Sequence, residues 1–374
     1  MIDGKSFFDL LVRNEIDFFA GVPDSLLKHF CACISEQASP EKHIITANEG
    51  VGISLATGYY LATGKIGLVY MQNSGLGNSI NPLVSLTAKE VYSIPILLMI
   101  GWRGEPGVKD EPQHMGQGRI TLSLLKNLGI PYGILSGHTL NFEKCLTKAV
   151  KHFHAKKTPY AIVVKENSFK PCVSQEKHPF RYPLGREDAI RYVVSLLNAD
   201  DIVVATTGKI SRELFETRKQ LGRGHEKDFL TVGSMGHASS IALGIALSRP
   251  SRNVYCFDGD GSFIMHMGAL STISQTKVFN FRHIIFNNYS HDSVGGQPTA
   301  AAAISIPGIA TASGYVYAGS AQTKAAIRRH MNRMQNSKGP ALLEVRVNKG
   351  ARENLGRPTR TPAENRDDFM KFLR

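Results

Sequence analysis

Two short polar motifs in the second half of the chain carry residues that could bind a metal ion. The first, Gly259-Asp260-Gly261, follows an apolar run, and the second, Asn287-Asn288, follows another apolar run after 25 intervening residues. That spacing accommodates one helical crossover, so Asp260 and Asn288 should meet at one edge of a parallel sheet. A carboxylate and an amide oxygen suit Mg²⁺, which shares its remaining positions with water and phosphate oxygens. Taken separately, the motifs could be only a tight turn and the end of a strand.

The elements that must position these residues follow a regular alternation of strands and helices. Short runs rich in Val and Ile alternate with longer helix-like stretches throughout the chain, which predicts an α/β fold with two doubly wound parallel sheets. A polar segment rich in Lys, Pro and Ser separates the two halves and is typical of a linker. The predicted strands are residues 16–20, 43–46, 66–71, 95–101, 131–134, 160–165, 202–205, 229–232, 254–258, 283–287, 315–318 and 342–347.

Composition and charge narrow the functional classes. The chain has 374 residues, 42% of them hydrophobic, and a formal net charge of +13. The excess of basic residues could serve nucleic acid or small anionic ligands, but the Lys and Arg residues are scattered, so we expect no nucleic-acid partner. No apolar run reaches the roughly 20 residues that span a bilayer, and no secretory signal is evident, so we expect no membrane association. Five cysteines without a C-x-x-C pair indicate reduced thiols in a cytoplasmic protein.

The spaced motifs resemble the signature of thiamine-diphosphate-dependent enzymes. In that family the Asp and the second Asn of the signature bind Mg²⁺, together with a backbone carbonyl two residues later. The resemblance therefore implies Asp260, Asn288 and Ser290 as metal ligands, with thiamine diphosphate and Mg²⁺ as cofactors. It also implies a pyrimidine-binding domain at 1–168, a linker at 169–185 and a diphosphate-binding domain at 186–374, with no middle domain.

The same resemblance implies the other cofactor contacts. Glu49, at the start of a helix-like segment, would lie against the aminopyrimidine ring, where apolar surroundings raise its affinity for a proton. The alternative is an ordinary partner of the helix dipole. Met235 would support the bent cofactor, and the Gly233 carbonyl would accept a bond from its exocyclic amine. The implied cofactor-binding residues are Thr207, Gly208, Gly233, Ser234, Met235, Gly259, Gly261, Ser262, Asn288 and Ser290.

The absence of room for a middle domain favours a short subgroup, the phosphonopyruvate and sulfopyruvate decarboxylases. Segments 21–27, 71–78, 101–107, 111–116, 291–299 and 355–362 resemble the phosphonate enzymes along nearly the whole chain. The resemblance implies a carboxy-lyase that converts 3-phosphonopyruvate to phosphonoacetaldehyde and CO₂ in phosphonate biosynthesis. Sulfopyruvate decarboxylation stays open as the alternative. A carboligase, a catalytically silent subunit and a basic binding protein are less consistent with the short linker and the retained motifs.

Further roles are implied by analogy with related decarboxylases. Asp24 and His114 would handle protons, and His291 is a third catalytic candidate. For Asp24 the competing interpretation is a helix N-cap for residues 25–29. The phosphonate of the small anionic substrate needs cationic or amide donors. The family also implies a homo-oligomer whose active sites lie between subunits, with at least a dimer as the active unit. The candidate phosphonate donors are Arg103, Lys109, Lys209 and Gln297.

Overall fold

A computed structural model describes residues 1–172 and 180–374 of the chain. The described residues divide into two compact units. The first comprises residues 1–172 together with Val294–Gln297, and the second comprises residues 180–293 and 298–374. Each unit is built around one parallel sheet whose strands are joined by helical crossovers.

Residues 1–172 form a six-stranded parallel sheet with the spatial order β2-β1-β3-β4-β6-β5. The strands are β1 Phe18–Gly21, β2 His43–Ile45, β3 Gly67–Gln72, β4 Leu97–Gly101, β5 Tyr132–Leu135 and β6 Tyr160–Val164. The helices are α1 Gly4–Arg13, α2 Lys28–Gln37, α3 Glu49–Thr63, α4 Leu76–Pro82, α5 Pro112–Asn127 and α6 Thr139–Lys156.

Residues 180–374 form a second six-stranded parallel sheet with the order β11-β12-β10-β9-β7-β8. Its strands are β7 Ile202–Ala205, β8 Asp228–Leu230, β9 Val254–Gly259, β10 Phe281–Asn287, β11 Tyr317–Ala321 and β12 Ala341–Arg346. Its helices are α7 Arg186–Ser195, α8 Lys209–Gln220, α9 Ala238–Ser248, α10 Asp260–Met265, α11 Ala269–Gln275, α12 Ile306–Ala312, α13 Lys324–Gln335 and α14 Pro362–Leu373.

The central strands are buried on both faces, which explains why they are nearly continuous apolar runs. Every residue of β4, β6, β7 and β10 is buried. The predicted fold class is confirmed, and each predicted strand overlaps an observed one. The largest offset is at β11, predicted at 315–318, because Gly314 with φ +99° ends the preceding turn and this edge strand is only partly buried.

The residues between β6 and α7 are too few for another domain. In the described parts of this connection, 165–172 and 180–185, the structure contains only isolated bridges, from Phe169 to Ile2 and from Gly185 to Asn348. Within the described residues, no helix combines the length and apolar character needed to cross a bilayer.

Each sheet has a reversal point, where the connections that leave two neighbouring strands run in opposite directions, and ligands of open α/β sheets bind at such points, beyond the carboxyl ends of the strands. In the first sheet the reversal lies between β1 and β3, and in the second it lies between β7 and β9. The loops that follow these four strands are therefore the places to look for a site.

Candidate active site

Asp260 and Asn288 follow adjacent parallel strands, as their spacing predicts. β9 and β10 are paired in a register that sets Phe286 opposite Gly259, the last residue of β9. Asp260 begins α10 directly after that strand, and Asn288 follows β10. The parallel pairing thus brings the two side chains to one edge of the second sheet.

The surroundings of Asp260 fit a bound cation. Its carboxylate is buried, and it accepts hydrogen bonds from the Thr299 hydroxyl and the Asn288 backbone amide. Within the described parts of the chain, no Lys or Arg nitrogen lies within 4.0 Å of it. Burial raises the pKa of Asp260 to about 6 because the charged form loses hydration, while the positive charge of Arg186 acts only from beyond contact distance. A divalent cation would supply a positive partner in direct contact.

The turn after β10 presents further oxygen atoms to the same place. The Asn288 side-chain oxygen accepts the Ser290 amide at 3.2 Å, and Tyr289 between them has φ +57°. Asn287 donates to the buried Glu344 carboxylate at 2.7 Å, which anchors the start of the turn. The Ser290 hydroxyl is buried and has no hydrogen-bond partner among the described residues. Carboxylate, amide and hydroxyl oxygens of this kind are ligands for a hard cation.

The loop after β7 faces the Gly259-Asp260-Gly261 turn across the reversal point. The Thr206 hydroxyl contacts the Ser262 hydroxyl at 2.8 Å, and Ser262 also accepts the Gly236 amide at 3.0 Å. Gly208 has φ +94°, a conformation that favours glycine, directly before α8. The Thr207 hydroxyl donates to the Val232 carbonyl at 2.8 Å. Because that proton is committed, the backbone amides of this loop are better placed than its hydroxyl to bind phosphate oxygens.

The residues of the predicted support segment also lie at this edge. A Cβ on Gly261 would lie 3.0 Å from the His291 ring and 3.2 Å from the Met235 methyl group. Met235 therefore lies beside the Gly259-Asp260-Gly261 turn, in a segment where Ser234 has φ +53° and Gly233 is half-buried. Burial lowers the pKa of His291 to about 4, so its ring is neutral at neutral pH.

Glu49 begins α3 and is buried, as the resemblance implies. Asn48 caps the helix by accepting the Val51 amide at 3.0 Å, which leaves the Glu49 side chain to bend inward. Its carboxylate accepts hydrogen bonds from the Asn78 side chain, at 2.7 Å, and from its own backbone amide. Burial raises the pKa of Glu49, the effect opposite to that of an exposed partner of the helix dipole.

The close approach of Gly75 to Glu49 gives a prediction with a matched control. A Cβ on Gly75 would lie 2.4 Å from a Glu49 carboxylate oxygen, whereas a Cβ on Gly77 would meet nothing within 4 Å. We expect Gly75→Ala to displace the Glu49 carboxylate and, because the resemblance implies a role for Glu49 in the reaction, to lower turnover by about tenfold or more. Gly77→Ala, in the same helical segment, should leave turnover unchanged. Equal activity of the two variants would contradict this assignment.

Asp24 lies at the reversal point of the first sheet and is fully buried. Gln72, the last residue of β3, donates to one carboxylate oxygen at 2.6 Å, and the Leu26 amide donates to the other at 2.9 Å. Burial raises the pKa of Asp24 despite these hydrogen bonds. The helix N-cap interpretation is wrong, because α2 begins at Lys28 with Leu27 as its cap residue.

His114 is half-buried near the start of α5 and shares a neighbour with Asp24. The Arg103 guanidinium exerts its charge on both side chains, and together with burial it lowers the pKa of His114 to about 4. Arg103 itself binds the Asp110 carboxylate and donates to the Ser25 hydroxyl at 2.7 Å. Much of its donor capacity is therefore used within the first unit.

The other candidate donors for an anionic substrate differ in their surroundings. Lys209 lies 3.3 Å from the Asp292 carboxylate, which also binds the buried Arg186 at 2.9 Å. Lys109 is exposed, and Gln297 is buried with a side-chain oxygen that lacks a partner among the described residues. Asp292 thus forms ion pairs with both Arg186 and Lys209, and their positive charges lower its pKa.

Comparisons with known proteins agree with this arrangement. The N-terminal TPP-binding domain of thiamine pyrophosphate enzymes matches residues 3–124, and the C-terminal TPP-binding domain matches residues 206–345. A phosphonopyruvate decarboxylase of Streptomyces viridochromogenes is 32% identical over 95% of this chain and 90% of its own length. The chain belongs to the family of thiamine-pyrophosphate-dependent decarboxylases.

Two further relatives in this decarboxylase family extend the comparison. A phosphonopyruvate decarboxylase of Streptomyces hygroscopicus is 32% identical over 100% of this chain and 94% of its own length. A sulfopyruvate decarboxylase of Methanosarcina acetivorans is 31% identical over 79% of this chain and 78% of its own length. The similarity to the two Streptomyces proteins thus extends over more of the chain.

Several residues around the family motifs had no role in the sequence interpretation. Asn78 and Gln72 contact Glu49 and Asp24, and Thr299 contacts Asp260. Each belongs to a segment that resembles the family, 71–78 or 291–299, and this resemblance was the available signal. Their partners lie 29, 48 and 39 positions away in the chain, so local spacing did not reveal the pairing.

Proposed function

We propose that this decarboxylase converts 3-phosphonopyruvate to phosphonoacetaldehyde and CO₂, a step of phosphonate biosynthesis. The observation that carries the proposal is the similarity to two phosphonopyruvate decarboxylases over nearly the full chain. Sulfopyruvate is the second candidate substrate, favoured by the more partial similarity to the Methanosarcina acetivorans protein. The test is release of CO₂ from phosphonopyruvate in the presence of thiamine diphosphate and Mg²⁺, with phosphonoacetaldehyde as the product.

The residues of the second unit are proposed to hold the cofactor and its metal. Asp260, the Asn288 side chain and the Ser290 carbonyl would bind Mg²⁺, and the loops at Thr207–Gly208 and Gly259–Ser262 would hold the diphosphate. Support comes from the buried Asp260 carboxylate, which has no Lys or Arg nitrogen within 4.0 Å among the described residues. When bound, thiamine diphosphate supplies an electron sink that allows a 2-oxo acid to lose CO₂. Met235 and Gly233 would position its rings.

Glu49 is proposed to act on the aminopyrimidine part of the cofactor. Its raised pKa keeps a proton available on the carboxyl group, which Glu49 can share with a ring nitrogen. Asn78 fixes the orientation of the carboxyl group by donating to one of its oxygens. Gly75 leaves the space that this orientation needs.

Asp24, His114 and His291 are proposed to handle protons at the substrate. The raised pKa of Asp24 favours a protonated carboxyl group that can donate to a developing carboxylate or carbanion. His114 and His291, each with a pKa of about 4, are neutral at pH 7 and can both donate and accept a hydrogen bond. Arg103, Lys109, Lys209 and Gln297 stay candidates for the phosphonate.

The proposed metal site has a pH dependence of definite sign. A proton on Asp260 competes with Mg²⁺, so we expect the affinity for Mg²⁺ to fall about tenfold per pH unit below about 6. The raised pKa also means that ionised Asp260 destabilises the metal-free fold above pH 6 and that this cost is relieved as the pH falls. The measurement is the Mg²⁺-dependent rise in Tm from pH 5 to pH 8.

The pH dependence of Mg²⁺ binding could also arise from titration of the cofactor's own phosphates, and one variant distinguishes this origin from titration of Asp260. The Thr299 hydrogen bond lowers the pKa of Asp260, so Thr299→Val should move the pH midpoint upward. The phosphates of the cofactor are unchanged by that substitution. An identical midpoint in both proteins would mean that Asp260 does not control the binding of Mg²⁺.

We further propose a homodimer or larger assembly in which the pyrimidine-binding domain, residues 1–168, faces the diphosphate-binding domain, residues 186–374, of a partner. Support comes from α3, which is largely apolar and exposes Val51, Leu55 and Leu61. A helix of that kind is ordinarily buried. The five cysteines are free thiols, which supports a reducing, cytoplasmic compartment.

A further inference from the structure

The second sheet has another set of buried polar groups at the opposite edge, where its strands begin. An open cleft of about 370 Å³ lies there, a size suited to a small molecule. Asp260 and Asn288 follow β9 and β10, whereas the cleft contains residues at the beginnings of these strands. The basic and amide side chains that line it include Arg252, Asn253, Asn280, Arg282 and Lys338.

Arg282 is the second residue of β10 and is 2% exposed. Its terminal nitrogens donate to three backbone carbonyls, those of Phe281, Ser337 and Gly339, at 3.0–3.1 Å. Its Nε is buried and has no acceptor among the described residues. No carboxylate of the described chain lies within 4.0 Å, and burial lowers the pKa of Arg282. A buried guanidinium therefore lacks a close negative partner.

Arg252, in the same cleft, also has a guanidinium nitrogen without a hydrogen-bond acceptor among the described residues. Its Nε donates to the Asp200 carbonyl at 2.9 Å, and one terminal nitrogen donates to the Phe372 carbonyl at 3.1 Å. The other terminal nitrogen is buried without an acceptor in the described structure. The Asp200 and Asp201 carboxylates act on Arg252, and Asp201 also acts on Arg282, but only at longer range. Lys338 adds an exposed positive charge to the cleft.

Asn280 contributes an acceptor to the cleft. Its amide nitrogen donates to the carbonyls of Ala246, Arg249 and Arg252 at 2.7–3.1 Å, which fixes the side chain. The side-chain oxygen is buried and receives no hydrogen bond from any described residue. Two unpartnered donors on cations and one unpartnered acceptor thus belong to residues that line one cleft. A hydrogen phosphate group matches this set because its oxygens accept from guanidinium groups while its P–OH donates.

We propose that this cleft is a binding site for a phosphate group, either inorganic phosphate or the phosphate of a small metabolite. Bound water could satisfy the hydrogen bonds but would leave the two guanidinium charges without an anion in direct contact. Phe279, 56% exposed, also lines the cleft and offers a ring on which a nucleobase could stack. The site lies at the edge of the sheet remote from Asp260, so its occupant would not be the substrate of the proposed reaction.

The test is calorimetric titration of inorganic phosphate into the protein saturated with thiamine diphosphate and Mg²⁺. Saturating cofactor keeps the added phosphate from the diphosphate loops. We expect one saturable site per chain, and we expect Arg252→Gln combined with Lys338→Gln to weaken it by about tenfold or more. Lys338→Gln alone, at an exposed position, should weaken binding about two- to fivefold without affecting the fold. Lys219→Gln, an exposed lysine on α8, should bind phosphate like the unmodified protein.

A nucleoside monophosphate distinguishes the source of the phosphate group. If it binds about tenfold more tightly than inorganic phosphate and Phe279→Ala removes that gain, the site takes a nucleotide. If the two bind equally, the site takes free phosphate. Absence of saturable phosphate binding, or binding that Arg252→Gln with Lys338→Gln leaves unchanged, would overturn the proposal. The second result would place the phosphate at the substrate pocket.

Discussion

Replacing Glu49 with Gln is expected to lower kcat about 100- to 10,000-fold, the range that a positioned acid or base contributes. The reason is chemical and not structural. A glutamine side-chain oxygen can still accept the Asn78 hydrogen bond, so the helix start and its packing should persist. What the amide cannot do is exchange a proton with the cofactor ring. The measurement is CO₂ release at saturating substrate, Mg²⁺ and thiamine diphosphate.

Two controls make the Glu49 result specific. Binding of thiamine diphosphate by Glu49→Gln, measured by calorimetry, should stay close to that of the unmodified protein, because the proposed diphosphate and metal ligands belong to the second unit. Glu90→Gln changes an exposed glutamate of the first unit and should leave turnover unaltered. Normal turnover of Glu49→Gln would remove Glu49 from the mechanism.

Asp260→Ala, unlike Glu49→Gln, should impair the binding of the cofactor and its metal, because it removes a proposed metal ligand and not a proton carrier. We expect the apparent affinity for Mg²⁺ to fall by more than about 100-fold, since the loss of an outer-shell partner alone costs about 10- to 100-fold. Activity should fall with it and should recover in part at very high Mg²⁺ concentrations. The measurement is retention of thiamine diphosphate during dialysis at a series of Mg²⁺ concentrations.

Two further variants are compared with Asp260→Ala: Thr299→Val should have a smaller effect on Mg²⁺ binding, and Asp188→Ala is the control. Thr299 donates to the Asp260 carboxylate without being a proposed ligand, so its loss should weaken Mg²⁺ binding within the 10- to 100-fold range. Asp188 is an exposed aspartate at the start of α7, and its loss should change nothing. If Asp260→Ala retained its cofactor as well as Asp188→Ala does, the metal would have to be bound elsewhere.

The fold could be predicted from the sequence because parallel strands covered on both faces must be apolar along their whole length. Strands such as β4 and β10 satisfy that requirement at every position. The edge strand β11 is only partly buried, and there the predicted strand begins before the observed one. The positions of Asp260 and Asn288 followed from the same logic, because each comes directly after a buried strand.

The partners of the site residues could not be predicted in the same way. Gln72 at the end of β3 and Asn78 in α4 contact their acids only because this part of the chain lies beside the loops that follow β1 and β2. Thr299 contacts Asp260 because the chain turns back after β10, with Ser290 bridged to Pro298. These contacts depend on the tertiary path of loops, which has no periodic signal in the sequence.

Substrate choice tests the central claim most directly. Phosphonopyruvate and sulfopyruvate should be supplied together, at equal concentration, to the protein loaded with thiamine diphosphate and Mg²⁺, and both aldehyde products should be quantified over time. Their ratio gives the ratio of kcat/KM for the two acids without separate kinetics. We expect phosphonoacetaldehyde to exceed the sulfonate product by at least about tenfold. An excess of the sulfonate product, or no product from either acid, would contradict the proposed function.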